Sequence, residues 1–183
     1  VSKYIGQQKA NGLESAAVTF RDINAIDGFN INGSETYFPA SLNKVYILLA
    51  YLKIAESNPS ILLERLTYNG KEDANAIEEI KSSIQLVPHF AYTVDELLER
   101  LIMHSDNNAA NLLGTNLETP ERRKIFNSVL GDLNVNPDEY GQAKDSLTAP
   151  AFSLVLSTLY NATFLNNDSS EKALELLSRS EFK

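Results

Sequence analysis

The strand signals in this chain all fall before Pro39, and that imbalance constrains its fold more than any other feature. Ala16-Ala17-Val18-Thr19-Phe20-Arg21-Asp22-Ile23 is a strand-like stretch that ends in turn chemistry at Asn24 to Gly28. Phe29 to Ile31 follows and runs into Asn32-Gly33, so the two stretches read as one β-hairpin. Residues 3–14 ahead of it read as a short helix. Everything after Pro39 reads as helix. A lone hairpin is marginal in water, and its edges invite further strands. The chain stops at Glu181-Phe182-Lys183, directly after a helix. The expectation is an α+β domain, C-terminally incomplete, whose remaining strands lie outside these residues. Val1 in place of Met fits a processed or trimmed piece.

The helical part carries its own punctuation. From Ser41 to about Glu56, Val45, Leu48, Leu49 and Leu52 form an apolar stripe at helical spacing. Thr93-Val94-Asp95-Glu96 is a capping box ahead of Leu97, Leu98, Leu101 and Ile102. Thr119-Pro120-Glu121 starts another helix, with Gly131 as its stop. Thr148 opens a helix expected to reach Leu165, and Ser169 or Ser170 caps a last one over 171–178. Tyr46, Tyr51 and Phe38 read most simply as core. Residues 57–92 are mixed. Residues 132–147 are polar, and a loop of that length in a compact domain tends to be functional or flexible.

Composition removes several classes of function. Cysteine is absent, which excludes disulfide scaffolds, zinc ribbons and cysteine nucleophiles. His89 and His104 are the only histidines, too few for a multi-histidine metal site. The formal charge is −8, and the densest basic run is Arg122-Arg123-Lys124, so nucleic acid is a poor partner. The longest apolar run, Val45 to Leu52, is eight residues, against the ~18 or more of a membrane-spanning helix.

Two short patterns could carry chemistry. In Ser41-Leu42-Asn43-Lys44 the spacing is one helical turn, which returns the lysine amine to the serine hydroxyl. A lysine partly buried there can lose its proton and serve as the serine's base. The pattern recurs at Ser169/Lys172 and Ser180/Lys183, where a capping serine with an exposed lysine one turn on is sufficient explanation. Only the first copy follows a hairpin and opens the most apolar helix. Ser105-Asp106-Asn107, standing alone, reads as a helix–helix connection in which Ser105 or Asp106 caps the next helix.

Together, a Ser-x-x-Lys at a helix start and a Ser-Asp-Asn between two later helices are two of the three signatures of class A β-lactamases and penicillin-recognising serine enzymes. The chain resembles that family around both motifs, in Phe38-Pro39-Ala40-Ser41 and in His104 to Leu113. It does so again in Leu176-Leu177-Ser178-Arg179. The resemblance implies a class A β-lactamase-like fold, an antiparallel sheet flanked by helices with an all-helical subdomain and the site in the cleft between. On that pattern residues 1–40 hold the N-terminal helix and hairpin of the sheet part. Residues 41–148 are the helical subdomain with the site, and 149–183 return to the sheet part.

The resemblance also implies roles. Ser41 is the acylated nucleophile, Lys44 its base or proton relay, and Ser105 passes the proton to the leaving nitrogen. Asn107 binds the substrate's amide side chain and Lys44, and Asp106 holds the turn. The implied substrate is a β-lactam or a peptidoglycan-type D-alanyl peptide. No cofactor or metal is implied, and the implied location is extracytoplasmic. Two features depart from the family. Its Lys-Thr-Gly signature does not occur in these residues, and a completing C-terminal segment is expected to supply it. In the loop at 132–147 the only glutamate is Glu139, and position 143, where the family has an asparagine, is Ala143. Acylation is thus expected to outpace deacylation. A non-catalytic binding domain on the same scaffold is the alternative. A Ser-His-Asp esterase has no Gly-x-Ser-x-Gly elbow to support it.

Overall fold

Helix α2 (Lys44–Ser57) is apolar on every side, with Val45, Tyr46, Leu48, Leu49, Ala50, Tyr51, Leu52 and Ile54 all buried. A helix of that kind has no solvent face and belongs at the centre of a core. The computed structural model describes residues 1–23, 27–78, 82, 84–133, 135 and 147–181. In it α2 is packed by α3 (Val94–Met103), α4 (Asn107–Asn116), α5 (Pro120–Asp132) and α7 (Asn167–Ser178). Helix α1 (Ser2–Ala10) buries no residue.

The expected hairpin forms from β1 (Val18–Arg21) and β2 (Gly28–Ile31), antiparallel with Val18 opposite Ile31 and Phe20 opposite Phe29. Helix α6 (Ala149–Tyr160) packs against β1. The chain then enters the helical body through an isolated antiparallel bridge. Tyr37 and Leu147 exchange both backbone hydrogen bonds, at 3.0 and 2.9 Å. This bridge draws the far end of the 132–147 stretch to the segment that leads into Ser41.

The rule of helix after Pro39 fails at one place. Arg65–Tyr68 (β3) and Phe90–Thr93 (β4) pair antiparallel, Arg65 opposite Thr93 and Tyr68 opposite Phe90. Each strand is four residues long, too short for alternation to be read reliably, and residues 69–89 between them hide the pairing. The reward for pairing is non-local, so no sequence window contains it.

Helix ends were legible where side-chain caps set them. Thr93 accepts from the Glu96 N–H and Glu96 reaches back to the Thr93 N–H, the predicted capping box. Thr148 caps α6, but that helix ends at Tyr160, short of Leu165. Helix α5 continues past Gly131 to Asp132, so the glycine is not its stop. The cap of α7 is Asn166, accepting from the Ser169 N–H, which displaces both predicted serines. Phe38 is exposed rather than core.

Candidate active site

The predicted helix start at Ser41 is a 3-10 turn, Ala40–Asn43, that runs straight into α2 at Lys44. The tighter turn still brings residues three apart onto one edge. Ser41 stays exposed at the surface, whereas Lys44 is only 8% exposed.

The second half of the site comes from the α3–α4 connection. His104 ends α3, and Ser105 takes a left-handed backbone conformation, φ 52°. Asp106 then caps α4, its Oδ1 accepting from the N–H groups of Asn108 at 2.8 Å and Ala109 at 3.2 Å. A non-glycine residue at positive φ is strained and persists only where its surroundings hold it. Here the Ser105 carbonyl accepts a 2.5 Å hydrogen bond from Lys44 Nζ. The reversal in direction turns the Ser105 side chain back toward α2.

Three side chains consequently meet. Lys44 Nζ donates to Ser105 Oγ at 2.8 Å and to Ser41 Oγ at 3.4 Å, and Ser105 Oγ donates to Ser41 Oγ at 2.9 Å. Burial disfavours the lysine's charge and lowers its pKa, while the negative charges of Glu78 and Asp106 act in the opposite direction. Desolvation is the larger influence, so the neutral amine is more accessible than in an ordinary lysine. A lysine ammonium has three protons and all three are used here. The bond to Ser41 is the longest, so it is the one whose loss costs least when the amine is neutral.

Asn107 is placed differently from expectation. Its Nδ2 donates to Glu78 Oε1 at 2.6 Å and to the Ala74 carbonyl at 3.4 Å, and its N–H donates to Asn75 Oδ1 at 2.7 Å. Lys44 directs its donors to Ser41 and Ser105. Asp106 is fully buried and accepts from Asn75 Nδ2 at 2.9 Å. Asn75 and Glu78 were missed by sequence reasoning. They lie in the mixed stretch 57–92, on a loop stitched to α4 by mutual hydrogen bonds of Asp73, Ala74 and Asn108. Its one visible signal is Asp73-Ala74-Asn75, which reads as a turn and no more.

Ser41, Lys44, Asn75, Glu78 and Ser105 line a cleft of about 720 Å³, and Ser180 lies at its wall as well. That placement goes beyond the plain capping role read for Ser180 from its spacing. Ser169 keeps a bland role, its N–H held by Asn166, while Lys172 pairs with Asp95. Glu139 lies outside the described residues, as does Lys183. His104 is a helix-end residue, its Nδ1 2.9 Å from Glu181 Oε1. Among the described residues no group of His, Asp and Glu is arranged to hold a metal ion, and no helix is long and apolar enough to cross a membrane.

The α+β fold, with its cleft beside a helical body, is that of the β-lactamase-like serine hydrolases. The chain belongs to the beta-lactamase enzyme family, whose model matches residues 2–183. The fold agrees with an ancestral class A β-lactamase at 25% identity and TM-score 0.78, the match covering 99% of this chain and 72% of the other. A class A β-lactamase from Mycobacterium abscessus matches at 24% identity and TM-score 0.75, over 99% and 71%. An acyl-enzyme complex of a PBP-A mutant with penicillin G matches at 19% identity and TM-score 0.73, over 98% and 68%. No curated protein matches.

Proposed function

We propose that this protein is an exported serine acyl-enzyme, hydrolase or acyltransferase, acting on β-lactams or on D-alanyl peptides of cell-wall type. The observation that supports it most is the closed triangle of Ser41, Lys44 and Ser105, every side of which is within hydrogen-bond distance. Neutral Lys44 takes the Ser41 proton as Oγ attacks the substrate carbonyl. A bond forms from Ser41 Oγ to that carbon, and the carbon–nitrogen bond breaks. The proton on Lys44 passes through Ser105 Oγ to the leaving nitrogen, which restores both groups. Asn107 receives the substrate's amide side chain, and Asp106 holds the connection that aims Ser105.

Release of the acyl group needs a water and a base that face the ester from another side. Glu139 lacks the family's companion asparagine, so this step is slow. Full-length protein incubated with a reactive penicillin should gain the mass of the drug on Ser41 and show a burst of turnover. Ser41→Ala should gain nothing. Absence of both adduct and hydrolysis would favour the non-catalytic binding domain. Fast sustained hydrolysis would overturn slow release and place a working base in the 132–147 stretch.

A further inference from the structure

The Asn107 amide, which the proposed function assigns to the substrate's side chain, is occupied in the free protein by a carboxylate. Glu78 Oε1 accepts from Asn107 Nδ2 at 2.6 Å. Glu78 is exposed and lines the cleft beside Ser41 and Lys44. The same residue lines a second cavity, of about 650 Å³, that also takes in Ser41, Lys44 and Asn107. Its loop is anchored, since Asn75 bridges from the Asp106 carboxylate to the Asn107 N–H. Among the described residues lining the cleft, Lys44 is the one cation and Glu78 the one acid. Lys44 is turned inward to the two serines. Asn107 itself lines the second cavity, where the described cations are Lys44, turned inward, and Arg123, paired with Glu118, so neither is a partner for the Glu78 carboxylate beside Asn107.

We infer that Glu78 is a specificity-determining residue that favours acyl donors bearing an ammonium next to their side-chain amide and disfavours those bearing a carboxylate there. The inference rests on the proposed acylation of Ser41 and on Asn107 marking the amide end. A substrate amide must displace Glu78 from Asn107, and the displaced carboxylate remains beside the incoming substituent. Attraction to an ammonium offsets the lost hydrogen bond, and repulsion of a carboxylate adds to it. At an exposed site the pairing is screened, so the preference is modest, about two- to fivefold in each direction.

The test compares three penicillins that differ at one position, ampicillin with an α-ammonium, benzylpenicillin with neither charge and carbenicillin with an α-carboxylate. Acylation of the full-length protein is timed by intact mass at about pH 6, where an α-amino group of ordinary pKa ~7.7–8.0 is charged. The expected order of second-order rates is ampicillin, benzylpenicillin, carbenicillin, and the spread should shrink in high salt. Glu78→Gln keeps an acceptor for Asn107 and should collapse the spread, while Glu78→Lys should reverse the order. Equal rates in the wild type, or an order unchanged in both variants, would overturn the assignment of Glu78 while leaving Ser41 acylation standing. No adduct with any of the three would instead break the acylation reading and this inference along with it.

Discussion

Helix α2 and the β1–β2 hairpin treat their aromatic residues in opposite ways. Tyr46 and Tyr51 on α2 are 1% and 0% exposed, whereas Phe20 and Phe29 on the hairpin are 53% and 44% exposed although their rings stack. Helices enclose α2, and the Tyr51 hydroxyl is tied into Leu113 and Asn116 of α4. Among the described residues the hairpin has two strands only, with α6 against β1. The difference locates the chemistry. In the proposed mechanism Lys44 serves as a base because the enclosed helix takes it out of water, and no described residue of the hairpin is buried in that way.

The largest effect should come from the enclosed side. Lys44→Met keeps most of the buried stem but has no proton to move, and should slow acylation by about 10²–10⁴-fold. A loss below about tenfold, read from adduct formation over time, would remove Lys44 from the base role. In the wild type the rate should rise with pH as Lys44 loses its proton, at a pH below the ordinary lysine value of 10.5. Glu78→Gln removes a charge that favours the ammonium, so it should move that limb to lower pH.

Stability should show the same contrast. Leu49→Ala, inside the enclosed helix, should cost about 2–5 kcal/mol in urea unfolding. An intermediate case is the clamp among Glu64, Asn116 and Arg122, where Arg122 donates to both Glu64 oxygens, at 3.2 and 2.6 Å. Hydrogen bonding to Arg122 holds the Glu64 pKa below its usual value, despite some opposing desolvation. A depressed carboxylate stabilises the fold above its unfolded pKa. That contribution is lost as pH falls through the folded value. Arg122→Leu should cost about 1–2 kcal/mol at neutral pH and less at low pH, where wild type and variant converge. A difference that stays constant down to low pH would show that the clamp does not act through ionised Glu64. Phe20→Thr, on the open hairpin, should change stability by no more than about 0.5 kcal/mol. A cost above about 2 kcal/mol, comparable to core truncation, would mean that the hairpin is as enclosed as α2 and erase the contrast.

Much of the site was legible because its parts are local. A turn of helix sets the distance between Ser41 and Lys44, the Asp106 cap depends on residues two and three positions later, and the Thr93–Glu96 box closes on itself. What escaped was non-local. The β3–β4 pairing spans residues 69–89, and the partner of Asn107 lies 29 positions away at Glu78. Ser180 reached the cleft wall because α7 packs against α2 and α3, which its own motif could not indicate.

By itself, then, the sequence determined the hairpin, the apolar helix, the caps of α3 and α6 and the two serine motifs, since each follows from spacing within a few residues. Only the tertiary structure set the Ser41/Lys44 pair apart from the Ser169/Lys172 pair. Ser41 and Lys44 face Ser105 across 61 to 64 positions of sequence. Lys172 instead faces Asp95. The physical reason is burial. Side-chain pKa and hydrogen-bond partners depend on what the rest of the chain packs around a residue, and the enclosure of α2 turns a common pattern into a buried amine beside a serine.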